Sequence, residues 1–449
     1  MIRQILGMII GTGGVFLLTR TLGPTAYGTY VAVFGISSFA VGICSLGITV
    51  YLVRKEETPS PDLYNTAFTF LMVTGSVVAM LMIAAIPYLS AWMNVEEANA
   101  KSMAIALFCL IPIHLAGVVP LAIIERELDF GRVAVIELIA QILLYAVALP
   151  AAFAGFGSWA PAAGWIALRV FSTVAVLVIS KYRPRFCWNV GMIREMLEYG
   201  ISYSASNWIW GMRNLINPLI VARFAGLDTV AYINLAIRFV TILSFVKNAI
   251  WRVSIAAFGK FQNDKKRLAN AIKEGTEYQT LLLGPIYVVF TLIGPFLIDF
   301  VYAGKWLEVM SIFPFIAAGF LANAAFSLHS SALYVLRHNI SVGIFHAIHV
   351  AVFAGTVLIL IPSMGIVAYG IGELVAIVSY ATIYLFVRKY IAPINQTTAM
   401  LLAAAFGFAL FWTHLGWVAF LGIGIAFVYP PVWISARNLI TNVRQIVSP

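Results

Sequence analysis

The feature that most constrains this chain is the spacing of its charges. Apolar runs of about twenty residues follow one another from end to end, broken by short polar connections. In helical form such a run crosses a bilayer core of roughly 30 Å. A segment in lipid must satisfy its own backbone groups, and unalternating runs of this length do so as helices. Only 10% of the residues are charged and 62% are hydrophobic, whereas ordinary soluble chains carry about 25% charged residues. Such a composition cannot cover a soluble surface, so a soluble enzyme is excluded.

The runs give fourteen candidate spans, near residues 3–20, 27–53, 64–92, 102–124, 133–155, 160–180, 197–222, 230–256, 276–302, 309–335, 340–361, 365–387, 397–413 and 416–436. Basic residues alternate between the connections. Of the 28 lysines and arginines, nineteen lie at the termini or in even-numbered connections, among them Lys260, Lys265, Lys266, Arg267 and Lys273. Four lie in odd-numbered ones (Arg20, Lys101, Arg223, Lys305), and five fall inside spans. This is the positive-inside bias. It predicts a multi-pass protein of the cytoplasmic membrane with an even span number and both termini in the cytoplasm. The net charge of +10 is then a property of loops facing membrane lipids, and no nucleic-acid partner is implied. No cleavable leader is expected, since the first run ends at Arg20-Thr21 without a small-residue cleavage pattern. Cys44, Cys109 and Cys187 show no disulfide or metal spacing.

A short internal repeat organises the spans. Arg20-Thr-Leu-Gly23 with Ala26-Tyr27 closes the first, and Arg223-Phe-Ala-Gly226 with Ala231-Tyr232 closes the seventh. Six spans separate the copies, so both have the same orientation, which is the pattern of parallel bundles related by an axis along the membrane normal. The expected fold is therefore an all-α polytopic membrane protein. Two parallel six-helix bundles, 1–190 and 191–390, surround a central cavity. Two C-terminal helices and a short cytoplasmic tail, 391–449, follow, for 12–14 spans with 14 favoured.

Ionisable residues inside spans mark cavities or internal pairs. Span 8 carries Arg238, Lys247 and Arg252. Arg238 and Arg252, fourteen residues apart, share one face about 21 Å apart. Arg238 lies too deep to snorkel easily, so it serves either an anion in a water-filled cavity or an ion pair, for instance with Glu373. Arg252 and Lys247 can reach the cytoplasmic surface or pair. Span 7 shows a polar stripe at helical spacing, Tyr203, Asn207, Trp210, Asn214 and Asn217, with Ser206 and Arg213 beside it. Such a stripe does not belong against lipid. It reads as polar helix packing or as a hydrated wall for sugars. Pro218 is placed to break this helix and free a carbonyl near Asn214. Glu137, Gln141 and Tyr145 share a face of span 5, with Arg169 in span 6 as a candidate counterion. Glu373, between Gly370 and Gly372, is a candidate for proton coupling or an ion pair. His346 and His349 are three apart without a third ligand, and His114 and His329 stand alone, so neither metal nor cofactor is expected. No catalytic constellation of a soluble module appears.

The run Leu18-Thr-Arg20-Thr-Leu-Gly23-Pro24-Thr-Ala-Tyr27-Gly28-Thr-Tyr30, with Leu46-Gly47 and Leu52-Val53-Arg54, resembles the opening of Wzx-like polysaccharide flippases, in the multidrug/oligosaccharidyl-lipid/polysaccharide exporter superfamily. Ala231-Tyr232 through Arg238 is similar to that family's second half. The resemblance extends to about residue 390. It implies a transporter, not an enzyme, that moves a polyprenyl-diphosphate-linked oligosaccharide outward by alternating access, for O-antigen (lipopolysaccharide), exopolysaccharide or capsule synthesis. On that reading Arg238, Arg213, Arg252 and Arg20 hold the diphosphate, and Asn207, Trp210, Asn214 and Asn217 hold the glycan. Glu373, Glu137 and Arg169 serve coupling or internal pairing. A monomer working beside polysaccharide polymerase and chain-length proteins is expected. The alternatives are a multidrug or small-metabolite exporter of the same fold, whose cavity would be rich in carboxylates, and a membrane glycan polymerase or ligase.

Overall fold

The computed structural model describes residues 2–95, 97–245, 247, 250, 254 and 258–447, with side chains except those of 2–5, 202–203 and 442–447. Every regular element among them is a helix. Among the described residues nine helices are long and apolar enough to span a membrane, and a tenth is possible if a bent pair counts as one. Leu6–Leu22 is a shorter apolar helix. The chain is thus an all-α, multi-pass membrane protein.

The chain forms two compact units, Met1–Ala231 and Tyr232–Pro449. The first unit contains α1 (Ile2–Leu22), α2 (Pro24–Cys44), α3 (Ile48–Arg54), α4 (Pro61–Trp92), α5 (Ala98–Ala116), α6 (Val118–Arg126), α7 (Phe130–Phe153), α8 (Trp159–Ile179) and α9 (Val190–Met212). Two short segments and α10 (Ala222–Ala225) extend α9, and α11 (Leu227–Leu243) begins at the end of this unit.

Close backbone approach fixes the helix pairs, as small residues allow in membranes. At Gly164 of α8 an added Cβ would lie 2.5 Å from the Leu144 carbonyl oxygen of α7. Gln141 Nε2 of α7 donates to Gly7 O of α1 at 2.8 Å, and Tyr145 Oη to Gly11 O at 2.9 Å. The contact unit ends at Ala231 rather than at 190 because α9 packs on α3. Lys55 Nζ reaches Glu195 Oε1 at 2.6 Å, Tyr51 Oη donates to the same oxygen, and Gly200 lies against the Leu46 carbonyl. That surface hydrogen bond pushes the Lys55 ammonium up to about 12.

The basic connections also carry the helix caps. Ser60, Asp129, Asn189 and Asp264 each accept the backbone N–H of the third residue following, which satisfies one of the free donors at a helix start. Arg126, ending α6, donates to Leu52 O (3.1 Å), Lys55 O (2.6 Å) and Glu57 O (2.9 Å) and so closes the end of α3.

The repeat is visible in the backbone. Gly23 adopts φ 77, ψ 172 and Gly226 adopts φ 84, ψ 168. Both sit between two consecutive helices, in a conformation that is essentially restricted to glycine.

The second unit contains α12 (Lys265–Tyr302), α13 (Val309–Val335), α14 (Asn339–Met364), α15 (Ile366–Ala376) and α16 (Tyr380–Tyr390). At 38 residues, α12 is about 57 Å long, so its Lys265–Gly275 end projects beyond a bilayer core. It also starts earlier than the span expected at 276. The C-terminal part departs most from expectation. The run 416–436 is not one helix. Gly416 has φ 60, Tyr429 is extended at ψ 113, and a new helix begins at Pro430. A residue before proline is biased away from helix, and proline is favoured at the first helical position. The segments Thr397–Ala409 and Trp412–Val428 form a pair bent by 62°.

Candidate functional site

The polar stripe of span 7 lies on a broken helix. α9 tightens into a 3-10 turn at Arg213–Leu215 and then widens into a π segment at Asn217–Val221. Pro218 has no N–H to return to the Asn214 carbonyl, so a regular α-helix cannot pass through. The break turns the stripe. Asn207 and Asn214 are exposed, Arg213 and Trp210 are half-buried, and Asn217 is buried. The Arg213 guanidinium stands over the Trp210 ring at 5.6 Å. Asn217 serves the fold, since its Nδ2 donates to Val230 O at 3.4 Å, at the start of α11. The Tyr203 side chain lies outside the described residues.

Arg20 is exposed in the last turn of α1. Its repeat counterpart Arg223 is an anchor. It stands over the Trp92 ring at 5.3 Å and donates to Asn94 Oδ1 at 2.8 Å.

In the second unit, Arg238 is half-buried on α11, and its Nε is buried with no hydrogen-bond partner among the described residues. The described ion pairs are Lys55–Glu195, Arg132–Asp129 and Arg194–Glu198, and none involves Arg238 or Glu373. The expected Arg238–Glu373 pair is therefore not among them. Glu373 is buried against Gly319, where an added Cβ would meet its Oε2 at 3.0 Å. Lys247 points inward. It hydrogen-bonds Asn323 Oδ1 and stands over the Phe320 ring at 5.3 Å, and Asn323 Nδ2 donates to Tyr380 Oη at 2.9 Å. Arg252 lies outside the described residues.

The grouping expected around span 5 is not formed. Glu137 is exposed, and Gln141 and Tyr145 are used in holding α1. Arg169 turns instead toward α2 and α5. Its guanidinium lies over the Trp165 ring at 4.2 Å and lines a pocket of about 90 Å³ with Ser37, Ser38, Leu110 and His114. The difference is one of helix rotation, which residue spacing alone does not set.

His349 and His329 serve packing. His349 Nδ1 shares a 2.8 Å hydrogen bond with Ser379 Oγ, and His329 Nε2 one of 3.1 Å with Gln396 Nε2. Among the described residues no group of His, Cys, Asp and Glu could hold a metal ion. One buried carboxylate escaped the sequence reading. Glu277 of α12 accepts from Ser435 Oγ at 2.6 Å. It is the second residue of the span expected at 276–302, beside the lysine-rich connection, where a charge at a span end ordinarily meets water.

Residues 17–311 match the family described as polysaccharide biosynthesis protein. The chain belongs to that family. Its match to the succinoglycan biosynthesis transport protein ExoT of Rhizobium meliloti (strain 1021) is 25% identical over 272 residues, covering 60% of this chain and 54% of that protein. The teichuronic acid biosynthesis protein TuaB of Bacillus subtilis (strain 168) is 20% identical over 278 residues, covering 61% and 57%. The chain thus aligns with little more than half the length of these relatives. Among solved structures, the lipid II flippase MurJ in an inward closed conformation aligns with a TM-score of 0.74 and 13% identity, covering 98% of both chains. An inward-facing multidrug resistance MATE family transporter aligns with a TM-score of 0.68 and 16% identity, covering 87% and 96%. These likenesses show the fold, that of a polytopic transporter. They agree with the resemblance seen in the Arg20–Tyr30 run.

Proposed function

We propose that this polysaccharide biosynthesis family member flips a polyprenyl-diphosphate-linked oligosaccharide across the cytoplasmic membrane by alternating access, with both termini in the cytoplasm. The observation that carries the reading is Arg238. It is a guanidinium inside a span, with a buried Nε that no described residue satisfies. A half-buried cation with a buried Nε and no carboxylate paired to it among the described residues gains from an anion that visits it. A diphosphate suits it, because the planar guanidinium stays charged and binds phosphate oxygens in pairs. Arg213 beside Trp210 adds a second cation on a helix break, with Asn207 and Asn214 exposed nearby in sequence to hydrogen-bond sugar hydroxyls. The prenyl tail stays in lipid. The two six-span halves read from the Arg–Gly repeat act as the moving parts. The relatives' names, a succinoglycan transport protein and a teichuronic acid biosynthesis protein, support an exported glycan as cargo. Polymerase and chain-length proteins are then the natural partners. A carrier of this kind needs neither catalytic residue nor cofactor.

The test is Arg238→Ala. It should abolish export of the glycan while the protein inserts at normal abundance and the lipid-linked intermediate accumulates on the cytoplasmic leaflet. Arg238→Lys should restore export only in part, because an ammonium keeps the charge but loses the two-pronged geometry. Full export by a well-expressed Arg238→Ala protein removes the residue from the site.

A further inference from the structure

We propose that the first unit holds a separate binding site for a small inorganic anion of the chloride class, built around Arg169. Arg169 lies ten residues into the 21-residue helix α8, about 15 Å from either end. That is too deep for a guanidinium to reach bulk water by snorkelling. The pocket it lines lies between α2, α5 and α8, entirely within the first unit. None of the lining residues is a carboxylate. His114, which lines the same pocket, and the Tyr30 phenol are close enough to sense the Arg169 charge. No ion pair or hydrogen bond of Arg169 is found among the described residues, and its one described contact of this kind is the Trp165 ring.

The donor set around the space is that of an anion receptor. The guanidinium offers several N–H groups, and the Ser38 hydroxyl and a His114 ring nitrogen can each offer one more. Ser37 lines the same wall, but its hydroxyl is spent on Leu107 O at 3.1 Å. A ring face carries no net negative charge and offsets only part of what the cation loses on leaving water. A half-buried cation with no counterion gains from an anion that settles beside it.

Size selects the class of anion. The pocket, about 90 Å³, has room for a monatomic or small polyatomic anion with a few waters. Trp165 is also unavailable as a sugar platform. Arg169 covers it at 4.2 Å, and Phe34 meets it edge-on at 4.7 Å between centroids. The pocket lies within the first unit, and none of the residues assigned to the cargo lines it.

The experiment uses the full-length protein in lipid nanodiscs, in buffers where chloride replaces gluconate at constant ionic strength. Two readouts are taken, the thermal unfolding midpoint and ³⁵Cl NMR line broadening. In the wild type, chloride should raise the midpoint saturably and broaden the ³⁵Cl line, and bromide should compete. Arg169→Gln should lose both effects. Ser38→Ala, at an exposed position, should fold normally and need about tenfold more chloride for half-saturation, as expected for one hydrogen bond to a charged ligand. It serves as the decisive variant if Arg169→Gln does not accumulate. Chloride-independent midpoints and line widths in the wild type would show that water alone fills the pocket and would overturn the proposal. So would an undiminished chloride effect in Arg169→Gln or Ser38→Ala. Saturable stabilisation by glucuronate but not by chloride would assign the pocket to a sugar acid of the cargo instead, which also overturns it.

Discussion

Gly28 is the position where a single methyl group tests how the two copies of the repeat meet. It follows Tyr27 in the first copy and is buried in α2. A Cβ there would lie 2.8 Å from the carbonyl carbon of Leu227, closer still to its oxygen, and 3.4 Å from Ala231 Cβ. Leu227 follows Gly226 of the second copy. Carbon atoms rest about 3.5–4.0 Å apart, so the methyl group arrives roughly 1 Å too close. Its obstacle is backbone, which has no rotamer by which to move away. Overpacking of this kind costs about 1–3 kcal/mol. Gly42 in the same helix supplies the control, because nothing lies within 4 Å of its added Cβ. Glycine to alanine inside a helix gains up to about 1 kcal/mol of propensity at either position. The difference between Gly28→Ala and Gly42→Ala therefore reads the overpacking alone. Unfolding both purified variants in one detergent should place Gly28→Ala below the wild type and Gly42→Ala at or above it, about 1–3 kcal/mol apart. Equal midpoints would refute the close approach of α2 to the start of α11.

Two further outcomes follow from the ends of the spans. Arg126→Ala should destabilise the protein by about 1–3 kcal/mol in the same unfolding assay, because the α3 carbonyls at Leu52 and Lys55 lose a charged donor. Arg126→Lys should recover part of this, and an Ala variant as stable as the wild type would refute the cap. A cysteine placed at Lys265 should resist an impermeant thiol reagent in intact cells while one at Ala98 reacts; the reverse pattern would overturn the topology read from the basic residues.

The fold was legible where one residue type decides the outcome. Charge spacing located most spans, because no other arrangement keeps apolar runs and charged breaks in their own solvents. Gly23 and Gly226 announced their helix breaks, since a left-handed junction tolerates little else. Pro218 announced the turn in span 7 for the same kind of reason. The C-terminal break was equally written in Pro430-Pro431, but hydropathy outweighed it in the expected 416–436 run. What the sequence left open was rotation about helix axes. Spacing put Gln141, Tyr145 and Glu137 on one face, and the first two do face one neighbour. It did not reveal that this neighbour is α1 rather than the helix bearing Arg169. Glu277 was missed because burial of a carboxylate beside lysines depends on Ser435, far along the chain.

The repeat also separates two properties that a duplicated bundle need not share. The backbone break is common to both copies, with nearly the same dihedral angles at Gly23 and Gly226. The interior charges are not. Among the described residues, the buried polar groups of the first unit are hydroxyls and amides, such as Thr19, Ser37, Asn65 and Asn217, with no carboxylate. The second unit buries Glu277 and Glu373. Arg169 lies inside a span of the first unit and takes part in no ion pair among the described residues. A duplicated fold can thus keep its mechanical joints while its halves differ in what they bind. In the second unit Glu277 accepts from Ser435 Oγ and Glu373 lies against Gly319. In the first unit an anion at Arg169 would supply negative charge from outside the chain, as proposed for its pocket.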